Sequence, residues 1–151
     1  MPYYIKRKPA EKKTKSRETN LVKKLDTVFS AYIRLRDVMP NGCFQCISCG
    51  HIFKFEDGDC GHFHSRVHMA TRWEPDNCHF ECKGCNRFSA DHIIKYQVRL
   101  IRKIGQERFD RLTLLADSQK HWMQFELKDM IDKYTAEVKR LSAEKGIKVR
   151  I

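Results

Sequence analysis

Long apolar stretches are missing from this chain of 151 residues. No run approaches the roughly 20 apolar residues that a membrane-spanning helix needs, so we expect no membrane partner. The N-terminus is charged and lacks the apolar segment of a secretory signal peptide, which favours a cytoplasmic protein. Internal repeats and low-complexity linkers are also lacking. The length predicts one domain with a modest core, over residues 19–151.

Negative charge is also scarce. The chain has 19 Asp and Glu against 30 Lys and Arg, which gives a formal net charge of +11. Such an excess favours a polyanionic partner, and we expect nucleic acid. The first 18 residues, which include Lys12 and Lys13, are basic and contain few apolar side chains. We expect them to form a mobile tail that lies along phosphates, with a solubilising tail as the alternative.

Cysteine, by contrast, is plentiful, with seven in the chain. Four of them form two Cys-x-x-Cys pairs: Cys46 with Cys49, and Cys82 with Cys85. Two such pairs indicate a structural zinc site, because each tight turn directs both thiolates to one ion. Buried or disulfide-bonded cysteines are the alternative, although a reducing compartment disfavours disulfides. Cys43 could be an alternative ligand, whereas Cys60 and Cys78 are expected to be small core residues.

Helical periodicity flanks the cysteine segment on both sides. The predicted helices cover residues 20–38, 91–104, 106–116 and 117–146. In the last of them, apolar residues four and three positions apart form a coiled-coil seam of about two heptads. This seam could pack against the first helix or support a homodimer. The predicted fold is therefore α+β and mainly helical, with a C-terminal helical extension over about 106–146.

Short strands are predicted between the cysteine pairs. The pattern gives a strand, a turn and a second strand over 51–64, a loop over 65–76, and a strand over 77–81. On the second strand, the two-residue period places Cys60, His62 and His64 on one face. If that strand pairs with the strand beginning at Asn77, His62 and Asn86 converge on one cleft beside the zinc.

Three residues of this segment are the candidate catalytic residues: His62, Asn77 and Asn86. Neutral nitrogen and oxygen donors suit a water-activating base and a hard divalent ion such as Mg²⁺. A histidine with a pKa near its reference value of ~6.5 can accept a proton from water at neutral pH. An asparagine oxygen can bind the ion without adding a charge that competes with phosphate.

These residues stand in a pattern that resembles the HNH, or ββα-metal, nuclease signature. That pattern is CxxCG, a strand ending in His, Asn five residues before a second CxxC, and His or Asn directly after it. The phrases CISCG, GHF and NCHFECKGCN are in addition similar to the bacteriophage NinG (Rap) recombination endonuclease family, over roughly residues 25–141. The resemblance implies a zinc-stapled HNH-like core and cleavage of Holliday junctions and D-loops in an infected bacterium.

The resemblance also implies roles for individual residues. His62 would deprotonate the attacking water, Asn77 would orient that histidine or brace the loop, and Asn86 would hold Mg²⁺ or Mn²⁺. One position departs from the pattern, because many HNH enzymes carry Asp or His where this chain has Gly61. The candidates to replace that metal ligand are His79, then His64, then Asp59. Asp59 comes last because strand parity points it away from His62.

Basic and aromatic side chains near this segment are candidates for contact with DNA. They are Arg66, Arg72, Trp73, Arg87 and Lys95, together with Lys12 and Lys13 of the tail. Arg72 and Trp73 could stack on an unpaired base or pack against each other within the loop. A different class of function stays open, a non-catalytic zinc module that binds nucleic acid and recruits recombination or transcription proteins. Only the enzyme requires His62.

Overall fold

The computed structural model describes the backbone of residues 10–151 and the side chains from residue 17 onward. This part of the chain forms, in order, α1 (Ala10–Asp37), β1 (Cys43–Gln45), β2 (Ile52–Lys54), β3 (Gly58–His62), β4 (Cys78–Cys82), α2 (Lys83–Phe88), α3 (His92–Ile104), α4 (Gln106–Ala116) and α5 (Gln124–Lys145). The fold is mainly helical α+β, as predicted. None of these helices is long and apolar enough to cross a membrane.

The two long helices, α1 and α5, pack against each other along the main hydrophobic core. The apolar seam predicted for the last helix is buried here: Leu127, Ile131, Tyr134, Val138 and Leu141. Phe29 of α1 meets Tyr134 edge to face, with ring centroids 4.9 Å apart. The seam is thus occupied within the chain, so the predicted homodimer through the C-terminal helix would need another face.

Two helix boundaries differ from the predictions. Within the described residues the first helix extends back to Ala10, well before residue 20, because Lys, Arg and Glu favour helix. The boundary predicted at residue 18 therefore falls inside α1. Residues 1–9 of the predicted mobile tail, and the side chains of Lys12 and Lys13, lie outside the described part of the chain.

The last helix begins at Gln124, because the preceding segment is a loop whose Trp122 indole donates to the Met69 carbonyl at 2.9 Å.

The observed strand pairing meets one condition of the sequence analysis and corrects one predicted hairpin. The strand ending at His62 does pair with the strand that follows Asn77, since β3 and β4 are antiparallel. The first strand of 51–64, however, is β2, and it pairs with β1 instead of β3. The residues between β2 and β3 form a 3₁₀ turn that buries Phe55 against the Phe80 ring. Core packing therefore replaces the predicted hairpin.

A second, smaller core joins α3 and α4 to the sheet region. Tyr96 and Leu100 of α3 and Phe109 and Leu112 of α4 are buried around Ile47. The Tyr96 hydroxyl donates to the backbone carbonyl of Gly61 at 3.1 Å. This contact places α3 over one face of the β3 and β4 pair, while α1 covers the other face.

Lys145, at the end of α5, caps the C-terminus of α1. Its ammonium group donates to the carbonyls of Leu35 at 2.7 Å, Arg36 at 3.2 Å and Val38 at 2.7 Å. Carbonyls in the last turn of a helix lack partners within the helix. The positive charge also opposes the negative end of the helix dipole. One side chain therefore joins the first helix to the last.

We expect Lys145→Met to lower the free energy of unfolding by about 1 to 2 kcal/mol, because a charged donor is lost from three carbonyls. Thermal unfolding followed by circular dichroism measures the effect. Lys148→Met is the matched control, since Lys148 is exposed. Equal melting temperatures for the two variants would contradict the capping role.

Candidate metal centre

The four cysteines of the two Cys-x-x-Cys pairs come together, as predicted. Their sulfurs all lie within 4.8 Å of one another. Among the described residues, none of the four forms a disulfide bond. Cys46 and Cys49 stand on the turn between β1 and β2, whereas Cys82 ends β4 and Cys85 lies in α2. Cys43, the predicted alternative ligand, is outside the group. The four thiols could hold a metal ion, and a set of four sulfurs favours zinc.

The surroundings of the sulfurs suit bound zinc. The backbone N–H of Cys82 donates to Cys46 Sγ at 3.3 Å, and that of Cys85 donates to Cys82 Sγ at 3.4 Å. Burial works to raise the pKa of Cys49, but hydrogen bonds from His51 and the neighbouring thiols outweigh it and lower the pKa to about 7. Gly50 has φ of +76°, which a glycine adopts without strain, so the turn can close directly after the first pair.

The two faces of the β3 and β4 pair carry different groups of side chains. In the antiparallel register His62 lies opposite Cys78, and Asp59 lies opposite Glu81. Directly opposed residues share a face, and neighbours along a strand alternate. His62 therefore faces α1 together with Cys60 and Cys78. Asp59, Gly61, His79 and Glu81 occupy the opposite face, under α2 and α3.

His62 and Asn86 do not meet, which corrects the cleft predicted for them. His62 Nε2 lies 3.0 Å from the Arg72 carbonyl on the α1 face. Burial, assisted by the charge of Arg66, lowers the pKa of His62, so its imidazole is neutral at pH 7. Asn86 instead lies in α2 on the other face, where its Nδ2 donates to Asp59 Oδ2 at 3.2 Å. The prediction failed because the sequence does not say which face α2 covers.

Asp59 is the carboxylate nearest to Asn86, although it ranked last among the predicted substitute ligands. Arg87 also contacts it, through two hydrogen bonds of 2.7 Å and 2.8 Å. Burial raises the pKa of Asp59, but the bonds from Arg87 and Asn86 outweigh this and hold the pKa below its usual value. Strand parity does point Asp59 away from His62, as predicted. The same parity brings Asp59 to Asn86.

Asn77 braces the loop between β3 and β4. Its side chain is fully buried and accepts a hydrogen bond from the His64 N–H at 2.8 Å. Its amide donates to the carbonyls of His64 at 2.9 Å and Thr71 at 3.0 Å. Of the two roles that the resemblance implies, these bonds favour bracing the loop. His64 itself follows the end of β3, and its ring packs against Phe63 and His68.

His79, the first substitute ligand predicted, is a buried core histidine. Its Nδ1 lies 3.3 Å from the Tyr96 hydroxyl, and burial lowers its pKa to about 3. A neutral imidazole could still bind a metal ion. The imidazole bonds to Tyr96, however, while Asn86, the proposed holder of the ion, bonds to Asp59 and not to His79. The structure therefore gives His79 a packing role.

The sequence analysis missed Glu81, a fully buried acid directly before the second cysteine pair. The Ser48 hydroxyl donates to its Oε1, and His92 Nδ1 lies 2.8 Å from the same oxygen. Oε2 has no hydrogen-bond partner among the described residues. A Cβ atom on Gly61 would overlap this carboxylate. The departure at Gly61 is thus explained, because Glu81 fills the space that a side chain there would need.

The side chains predicted to contact DNA differ in their exposure and in whether another residue of the chain already binds them. Asp26 accepts from Arg72 at 3.0 Å and 2.6 Å and from the Trp73 indole at 2.9 Å. Trp73 is only 4% exposed, so its ring is not free to stack on a base, and packing within the loop is the alternative that holds. Arg66 is exposed, Arg87 pairs with Asp59, and Lys95 pairs loosely with Asp91 at 3.6 Å.

The fold and the cysteine centre define a small, mainly helical α+β protein with a candidate structural metal site. A family model described as "Bacteriophage Lambda NinG protein" matches residues 4–144, so the chain belongs to the NinG family of phage proteins. Protein ninG of Escherichia phage 933W is 30% identical over 122 residues, which cover 80% of this chain and 57% of that protein. Protein ninG of Escherichia phage lambda is 32% identical over 92 residues, covering 60% of this chain and 43% of the relative.

The chain spans about half the length of these curated relatives. Protein ninG of Salmonella phage P22 gives a similar result, 29% identity over 122 residues, with 80% of this chain and 57% of that protein covered. No solved structure matches. The comparisons therefore show the family, and a phage protein is expected to act in an infected bacterial host.

We expect Cys82→Ser to release zinc and unfold the centre of the molecule, because strands of three and five residues bury too little surface to persist alone. Elemental analysis gives the zinc content, and circular dichroism gives the melting temperature. Cys43→Ser should change neither. A wild-type protein that keeps its melting temperature in excess chelator would contradict the structural role of the metal.

We expect Gly61→Ala to lower the free energy of unfolding by about 1 to 3 kcal/mol, because the methyl group would overlap the Glu81 side chain. Gly84→Ala is the matched control, since the nearest atom to its added Cβ is at an ordinary 3.9 Å. Denaturant unfolding measures both variants. If Gly61→Ala is as stable as Gly84→Ala, then Glu81 does not fill the space beside Gly61.

Proposed function

We propose that this protein is a metal-dependent endonuclease that cuts branched DNA recombination intermediates such as Holliday junctions and D-loops. Membership of the NinG family, the resemblance to the HNH signature and the net charge of +11 support the proposal. One observation carries it. Asn86, directly after the second cysteine pair, lies against the ionised Asp59 carboxylate at 3.2 Å, beside the candidate zinc centre.

Asp59 and Asn86 provide hard oxygen donors of the kind that Mg²⁺ and Mn²⁺ bind. Bound there, such an ion would stabilise the charge that develops on the scissile phosphate and the leaving oxygen. α2, which carries Asn86, begins directly after Cys82 and contains Cys85, so zinc in the cysteine centre would fix the position of Asn86. Arg87 is 52% exposed in its side chain and can contact a phosphate beside the ion.

The residue that would accept a proton from the attacking water is assigned separately from the residues that would bind the ion. The resemblance gives this role to His62, whose imidazole is neutral but lies on the α1 face of the sheet. On the face of Asp59 and Asn86, His92 is bonded to Glu81, which lies opposite Asp59. A carboxylate bonded to one ring nitrogen fixes the orientation of a histidine and leaves the other nitrogen for proton transfer. His62 and His92 are therefore the two candidates for the base.

The separation of His62 from Asn86 also favours a second function. A zinc module that binds nucleic acid without cutting it needs the cysteine centre and the positive charge but no shared cleft. The family resemblance favours the enzyme. The two functions differ in a single observable, the breakage of a phosphodiester bond.

We expect the wild-type protein to cut a labelled four-way junction in Mg²⁺ or Mn²⁺, and Asn86→Ala to cut it roughly 100-fold more slowly with unchanged binding. Gel electrophoresis measures cleavage, and fluorescence anisotropy measures binding. The matched control is Asn20→Ala, which changes an exposed asparagine of α1. Binding without cleavage by the wild type in both metals would establish the non-catalytic module.

His62→Ala and His92→Ala, assayed in the same way, decide the proton acceptor. Loss of cleavage in only one of them, with unchanged metal content and melting temperature, assigns the base to that residue. If Asn86→Ala cuts within a few fold of the wild type, the ion does not lie at Asp59 and Asn86.

A further inference from the structure

A second group of metal-binding side chains lies on the α1 face of the β3 and β4 pair. The sulfurs of Cys60 and Cys78 and a ring nitrogen of His62 lie within 4.8 Å of one another. The four sulfurs of the cysteine centre lie within the same distance of one another, so both groups are close enough to bind a single ion. None of these three residues belongs to the Cys-x-x-Cys pairs.

The strand register explains why the three side chains converge. His62 lies directly opposite Cys78 in the antiparallel pair, and Cys60 precedes His62 by two residues on β3. All three therefore share one face, with the Cys60 side chain diagonal to Cys78. Cys60 and Cys78 are buried, whereas His62 is half-buried at the edge of the group. A metal ion could therefore enter from the His62 side.

The loop that precedes β4 adds an oxygen to the group. The carbonyl of Arg72 lies 3.0 Å from His62 Nε2 and 3.8 Å from Cys78 Sγ. The position of that loop is fixed, because Asn77 braces it and Asp26 holds Arg72 and Trp73. Four donor groups thus meet at one place, held by β3, β4, the loop and α1.

The donor set selects the class of ion. Two thiolates and an imidazole suit zinc and other divalent ions of intermediate softness, whereas Mg²⁺ and Ca²⁺ require oxygen ligands. Two thiolates balance the charge of a divalent ion, which removes the cost of burying an unpaired charge.

We propose that Cys60, His62 and Cys78 form a second zinc site, separate from the four-cysteine centre, with the Arg72 carbonyl or a water as the fourth ligand. The ion would join the end of β3, the start of β4 and the loop between them, which Asp26 of α1 holds in place. With His62 as a metal ligand, His92 is the remaining candidate for the base of the proposed nuclease. The site does not depend on the proposed nuclease activity, since it requires only the three side chains.

Native mass spectrometry of the full chain, loaded with zinc and then desalted, tests the proposal. We expect two zinc ions in the wild type and one in His62→Ala. The half-buried position of His62 makes this variant the least disturbing to the core. Cys60→Ala should also hold one zinc ion, while Cys43→Ala, which changes a cysteine outside both groups, should hold two.

A cobalt titration gives a second readout. The second Co²⁺ equivalent should add thiolate-to-metal charge-transfer absorption in the wild type, and this increment should be lost in His62→Ala and Cys60→Ala. One equivalent at saturation in the wild type, or two in both variants, would overturn the proposal. Neither measurement involves DNA, so a failure of the junction-cleavage assay leaves the result for this site unaffected.

Discussion

The central region depends on the meeting of four thiols. Two come from the turn that joins β1 to β2, and two come from the junction of β4 with α2. The strands there are three or five residues long, too short to form a stable sheet unaided. The cysteine centre joins the two sheets at one point, and the stacked rings of Phe44 and Phe80, 3.6 Å apart between centroids, join them at another. Glu81 adds a third link, because it bonds to Ser48 of the first cysteine turn and His92 of α3.

Because the β3 and β4 pair is covered on both sides, each face has its own chemistry. The α1 face holds sulfur and imidazole groups, which suit a softer metal ion. The opposite face carries Asp59, which bonds to Asn86 of α2, and such oxygen donors suit a hard ion. Residues adjacent in sequence, such as Gly61 and His62, therefore contribute to different environments. A sequence signature that spans adjacent residues of one strand does not show which face each side chain occupies.

Local spacing predicted those parts of the structure that depend on near neighbours in the sequence. The grouping of the Cys-x-x-Cys pairs and the helix over 106–116 follow from turn geometry and periodicity, whereas the pairing of the His62 strand was only assumed. The hairpin over 51–64 was wrong because β1, the true partner of β2, is only three residues long and gives little signal. The cleft of His62 and Asn86 was wrong because its location depends on how α2 and α3 pack, which involves distant residues such as Tyr96. The sequence did contain one indication of Glu81, because it is the only acid in a strand whose other residues are Cys, His and Phe.

The packing of α1 against α5 has a consequence for how this chain is made on the ribosome. α1 finds its main partner in α5, which is synthesised after the cysteine segment has already emerged. A metal ion held by the four cysteines would therefore close the central region during translation, before α5 covers the apolar side of α1. A nascent chain that stalls before α5 would expose Phe29 and its neighbours to chaperones, although all four cysteines would already have been synthesised.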